Sequence, residues 1–164
     1  MLQTKRADFS GIAARFHISP VTARIIRNRD VEGETAIDRY LNGTLDQLYD
    51  PHLMKDMDKA ASLILEKIQA GARIRIVGDY DIDGVCSTYL LYRGLSGHVD
   101  YQIPERIRDG YGINESIIRK AKEDGIDTIV TCDNGIAALE QVRLAKELGM
   151  TVIVTDHHEV VRAE

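Results

Sequence analysis

Apolar positions along this chain follow two rhythms, and the change comes near residue 72. Phe9, Ile12, Ala13 and Phe16 recur at helical spacing. Ser19-Pro20 reads as the N-cap and first residue of a second helix, which carries Val21, Ala23, Ile25 and Ile26. Residues 33–41 give a third helix, closed by Asn42-Gly43, and 45–51 read as irregular, punctuated by Pro51. The longest helical pattern is 56–70. It has Met57, Ala60, Ala61, Ile64, Leu65 and Ile68 on one face and Gly71 just past its end. Residues 1–71 are therefore expected to form a helical region.

From Arg73 onward, short β-branched runs alternate with helical ones. Strands are predicted at 73–77, 98–103, 127–132 and 151–155, and helices at 84–95, 114–124 and 135–148. A polar loop fills 105–112 after Pro104. Alternation of this kind specifies an α/β domain over 72–164, a parallel sheet flanked by helices. The commoner switch-point orders make 73–77 and 127–132 neighbours. No helix follows the last strand before Glu164, so the expectation is the front part of a longer protein.

Composition changes this picture little. A hydrophobic content of 44% with 29% charged residues is an ordinary globular balance, and 164 residues suffice for a sizeable core. No run approaches the roughly 20 apolar residues that span a bilayer. Met1 to Arg6 lack the apolar core of a signal peptide, which makes a cytoplasmic location the default expectation. Cys86 and Cys132 fit no zinc spacing and read as small buried residues. Net charge is −5, yet residues 1–29 carry six Lys/Arg against Asp8, a balance of +5 that leaves −10 on the rest. A basic segment beside an acidic body suits a polyanionic substrate; the alternative is a solvated helix face.

Candidate chemistry gathers at the strand ends. The first strand runs into Gly78-Asp79-Tyr80-Asp81-Ile82-Asp83-Gly84, three carboxylates in five residues. Like charges this close are unfavourable unless neutralised, and hard divalent cations favour carboxylate oxygens. A solvated acidic turn would also account for one Asp-x-Asp. The third strand, however, ends in Asp133-Asn134-Gly135 and the fourth in Asp156-His157-His158. Three such endings in one βαβ series converge at the carboxyl edge of a parallel sheet, where ligands bind in such folds.

These motifs resemble the first three of the DHH phosphoesterase superfamily. The helical region ahead of them, the triple-Asp first motif and the Ile103-Pro104 … Asp109-Gly110-Tyr111-Gly112 loop are similar to RecJ-type single-stranded-DNA exonucleases. The resemblance implies two divalent ions, manganese or magnesium. Asp133 would bridge them, with Asp83 and His157 on one ion and Asp81 on the other. His158 would face the substrate phosphate, Asp156 would orient the neighbouring imidazole, and Asp79 is a candidate further ligand. It also implies single-stranded DNA as partner, 5′-to-3′ hydrolysis, and a role in repair or recombination. Two departures stand out. Val77 occupies a position where the superfamily usually has a His, four residues before Asp81. The fourth-motif Asp and second domain of the family lie outside residues 1–164, so these residues alone are expected to be poorly active. The competing readings are a DHH phosphodiesterase acting on short RNA or dinucleotides, and a nucleic-acid-binding protein that keeps the fold with weakened catalysis.

Overall fold

The computed structural model describes residues 5–95, 97, 99–107 and 110–159; Asp109 of the loop motif lies outside them. The chain divides into two compact units, Met1–Met54 and Lys55–Glu164.

The first unit contains α1 (Phe9–Phe16), α2 (Pro20–Asn28) and α3 (Glu34–Asn42). Asp8 caps α1 by accepting from the Gly11 amide, and Ser19 caps α2 by accepting from Thr22, with Pro20 as its first residue. Ala13, Ala23, Ile26 and Ile37 are buried and form a small core. The stretch expected to be irregular instead holds two short 3-10 turns, Leu45–Gln47 and Pro51–Leu53. The basic segment is not a free cationic face. Lys5 pairs with Asp30, Arg15 with Glu34 and Arg27 with Glu32, while Arg24 lies over the Phe9 ring. Residues 1–54 hold seven Lys/Arg and seven Asp/Glu, so the unit is neutral overall.

The second unit opens with α4 (Met57–Gln69), then alternates β1 (Ile74–Val77), α5 (Ile82–Gly94), β2 (Val99–Gln102), α6 (Glu115–Glu123), β3 (Thr128–Cys132), α7 (Leu139–Glu147) and β4 (Thr151–Thr155). All pairings are parallel and the order is β2-β1-β3-β4. The central strands β1 and β3 are buried at every position, on both faces, which is why they read as near-continuous apolar runs. Ile74, Ile76, Val130, Cys132 and Ile153 point to one face, covered by Ala60, Leu63, Ile64 and Ile68 of α4 and by Leu91 and Leu95. Val77, Ile129 and Val152 point to the other, covered by α6 and α7 through Ile117, Ile118, Ala121 and Ala145. The rhythm of the sequence changes near residue 72. By packing, however, α4 belongs with the sheet, although Leu65, placed on its apolar face by spacing, is exposed.

Two details differ from expectation. The last helix begins at Leu139 rather than 135, because Gly135 adopts φ 109° and the Ile136 amide donates to Asp156 instead of entering a helical turn. Cys86 is exposed, while Cys132 is buried beside the Thr88 hydroxyl. Helix α5 is apolar almost all round, so its sequence does not say which side faces inward. Gly84 and Thr88 are its buried residues.

Register aligns the strand ends. Val77 sits opposite Gln102 and Thr131, and Cys132 opposite Thr155. The segments after β1, β3 and β4 therefore leave from one edge, at the β1/β3 switch point.

Candidate metal centre

Local geometry fixes each side chain at this edge. Asp81 is the N-cap of α5, its carboxylate accepting from the Gly84 amide at 2.9 Å. A Cβ on Gly84 would lie 2.5 Å from the Asp79 carbonyl oxygen, so only glycine lets the first turn of α5 pack onto that peptide. Asp133 takes φ 61°, the left-handed region that Asp and Asn tolerate better than most residues. This turns its carboxylate inward, against His157 Nε2 at 2.8 Å. Burial pushes the Asp133 carboxyl up; the His157 bond opposes this and the Asp81 charge adds to it.

Asp156 is a second anchored carboxylate. One oxygen accepts from the Ile136 amide at 2.9 Å, and the other meets the His158 amide at 3.1 Å and His158 Nδ1 at 2.7 Å. Burial alone would raise this carboxyl, but those hydrogen bonds outweigh it and hold it below the usual range. The Asp156 bond raises His158 in turn, helped by the charges of Asp133 and Asp81.

Two further residues frame the cluster. Asn134 is buried, donates to the Val77 carbonyl at 3.0 Å and the Cys132 carbonyl at 2.9 Å, and accepts from the Ile113 amide at 3.0 Å. It thereby ties β1, β3 and the segment after Gly110 together. Tyr111 brings its hydroxyl to the Asp133 carbonyl at 3.0 Å. Burial and the charges of Asp79, Asp133, Asp156 and Asp81 push that phenol up to about 12. A cleft of about 510 Å³ beside it is lined by Tyr111, Asn134, Gly135, Gln141, Asp156 and His158, among others.

The predicted site residues are thus partly assembled. Ligand atoms of Asp133, His157 and His158 lie within 4.8 Å of one another. Asp156 anchors the trio, and Asp81 acts on it electrostatically. Asp83 is exposed in the first turn of α5 and lies outside the trio. Asp79 is fully buried; one oxygen accepts from Gly112 at 3.3 Å and the other has no partner among the described residues. The desolvated Asp133 carboxylate and the two imidazoles make a donor set of the kind that suits a divalent cation with borderline N/O preference, and the orphaned oxygen of Asp79 lies outside that trio. Tyr111 and Asn134 were not singled out by sequence reasoning. Both act across long chain separations, and only the Asp-Gly-Tyr-Gly and Asp-Asn-Gly strings pointed to them.

A doubly covered parallel sheet with carboxylates and imidazoles gathered at its switch point defines an α/β domain with a candidate metal-binding group. The chain belongs to the DHH family: the model of the DHH family, N-terminal domain, matches residues 73–164. It is 41% identical over 151 residues to the single-stranded-DNA-specific exonuclease RecJ of Bacillus subtilis (strain 168), covering 90% of this chain and 19% of the relative. It is 35% identical over 145 residues to RecJ of Escherichia coli (strain K12), covering 86% and 24%. Among solved structures, exonuclease RecJ bound to manganese matches with a TM-score of 0.62 and 37% identity, covering 67% of this chain and 29% of that one. RecJ of Thermus thermophilus in complex with Mn2+ matches with a TM-score of 0.58 and 28% identity, covering 94% and 22%. The chain spans about a fifth of the length of the Bacillus subtilis relative and about a quarter of that from Escherichia coli.

Proposed function

We propose that this chain carries the amino-terminal, metal-binding part of a phosphodiesterase that degrades single-stranded DNA from the 5′ end, in DNA repair or recombination. The observation that supports it most is the convergence of Asp133, His157 and His158 at the switch point of a DHH-family sheet. Asp133 is assigned as the bridging ligand, with His157 beside it and Asp81 and Asp83 completing the two positions. Asp79, through its orphaned oxygen, is a further ligand. Manganese or magnesium would lower the pKa of a bound water and stabilise charge on the phosphoryl oxygens. His158, held by Asp156, points positive charge toward the substrate phosphate. Residues 1–54 act as a helical accessory, α4 completes the unit that carries the catalytic motifs of 72–164, and the protein acts in the cytoplasm. No helix among the described residues is long and apolar enough to cross a membrane.

One observation favours a second reading, a DHH-fold nucleic-acid-binding protein with weakened catalysis. Val77 is fully buried in the α6/α7 cluster and offers no ligand where the superfamily usually has a His. Two experiments separate these readings. The first is a manganese-dependent nuclease assay on the complete gene product, with 5′-labelled single strands, duplexes and dinucleotides. Degradation confined to single strands supports the exonuclease. Dinucleotide cleavage points to a short-substrate phosphodiesterase, and binding without cleavage supports the second reading. The other is manganese titration of wild type and Val77→His. A gain in affinity only in the variant identifies position 77 as a lost ligand.

A further inference from the structure

Tyr111 sits at the candidate centre in an unusual way. Tyrosines normally bury the ring and leave the hydroxyl wet. Here the residue is 53% exposed, and the hydroxyl is the end that points inward, onto the Asp133 carbonyl at 3.0 Å. Burial of the ring is thus a poor account of this side chain, and its contacts are directional. The ring stands edge-on to Tyr80 at 6.2 Å and to His158 at 6.1 Å. Its oxygen also faces His158 Nε2 at 3.4 Å.

The hydrogen-bond inventory fixes one of these roles. A phenol has one proton, and a backbone carbonyl only accepts, so the Tyr111 proton goes to Asp133. His158 Nε2 meets the phenolic oxygen at 3.4 Å, donating to it when the imidazole carries both protons and otherwise sharing the phenolic proton as a second, longer acceptor. On the other side of the imidazole, Nδ1 faces the Asp156 carboxylate at 2.7 Å. Both imidazole nitrogens therefore have a protein partner. The Asp133 peptide, in its left-handed conformation, gains a donor from outside its own turn.

We infer that Tyr111 is a positioning residue, whose hydroxyl holds the Asp133 peptide and the His158 ring in one hydrogen-bonded arrangement. This rests on the phosphodiesterase reading for its catalytic consequence but not for its geometry. Orienting groups behind a ligand set commonly influence affinity or rate by about tenfold to a hundredfold. Loss of the hydroxyl should leave substrate binding nearly intact and slow turnover, because it loosens groups that act on the phosphate rather than groups that grip the strand.

The test is Tyr111→Phe, with two readouts. In the 164-residue chain, nitrogen-15 imidazole spectra should show His158 shifted, with the His17 and His52 resonances and the thermal midpoint unmoved. In the complete gene product with manganese, kcat on single-stranded DNA should fall about tenfold while KM changes less than about twofold. An unmoved His158 resonance would overturn the inference, as would a shift spread over the whole spectrum. If wild type degrades no phosphodiester, the phosphodiesterase reading fails while the spectra still decide the role of Tyr111. Should Tyr111→Phe fail to fold, 3-fluorotyrosine at position 111 keeps the ring and alters only the hydrogen-bonding strength of the hydroxyl. The His158 resonance must still move.

Discussion

The two edges of the sheet both collect acidic residues, yet they resolve the charge differently. At the amino edge the protein supplies its own cations. Arg75 forks onto Asp100 at 2.8 and 2.9 Å and reaches Asp124 at 3.0 Å; Lys120 also meets Asp124, and Lys67 meets Asp127. The lysine and arginine partners hold the Asp124 carboxyl below its usual range, and Lys67 with the Thr128 hydroxyl does so for Asp127. At the carboxyl edge the ion pairs of Asp133 and Asp156 are with His157 and His158. Asp133 is pushed up by burial, and an oxygen of Asp79 has no partner among the described residues. Acidity alone therefore does not mark a site. The mark is buried negative charge that Lys and Arg do not neutralise among the described residues.

Mutation should separate the edges, and Asp133→Asn has the largest expected effect. Nuclease activity of the complete gene product should fall by at least about a hundredfold, since an amide offers one neutral oxygen where a carboxylate offers two charged ones. Asn tolerates the φ 61° of this position and removes a desolvated charge, so the metal-free chain should be no less stable in urea unfolding. Activity within about tenfold of wild type, or a marked stability loss, would break the comparison.

Arg75→Ala should do the reverse. It leaves Asp100 and Asp124 without their shared cation. About 2 kcal/mol of stability should go, read from the urea midpoint, with manganese affinity unchanged. A change in metal affinity would mean that the two edges are coupled.

These opposed edges were only half visible in the sequence. The four strands were legible to within about a residue, because β1, β3 and β4 are short runs rich in β-branched residues and the central pair is buried on both faces. The neighbouring of β1 and β3 followed from the switch-point rule and is observed. The motif residues were legible as strand endings. What escaped depends on long-range contacts. Asp156 captures the Ile136 amide across 20 residues and shortens α7, and Tyr111 reaches Asp133 across 22. Asp81 and Asp83, which share a motif, are both exposed and both outside the trio, and only Asp81 acts on Asp133 through its charge. The basic segment read as more cationic than it is because the count stopped at residue 29, one short of Asp30, Glu32 and Glu34, which pair with Lys5, Arg27 and Arg15.

A smaller effect concerns acid. Carboxyls held low in the folded state stabilise it above their unfolded pKa, near about 4, and that stability is lost as pH falls through the lower folded values. Asp124 and Asp127 belong to this class. Metal-free chain should therefore lose stability progressively below about pH 4. Asp127→Asn should lose less over the same range, measured by thermal midpoint against pH. Identical acid profiles in the two would remove Asp127 from the amino-edge network.

The central claim is that the carboxyl edge awaits a divalent cation, and manganese-dependent stabilisation of the 164-residue chain tests it most directly. With an incomplete ligand set the site should be single and weak. At about ten times its Kd, manganese should stabilise wild type and Arg75→Ala equally, by about 1.4 kcal/mol, and Asp133→Asn not at all. No stabilisation of wild type at any accessible manganese concentration, or an equal gain in Asp133→Asn, would contradict it.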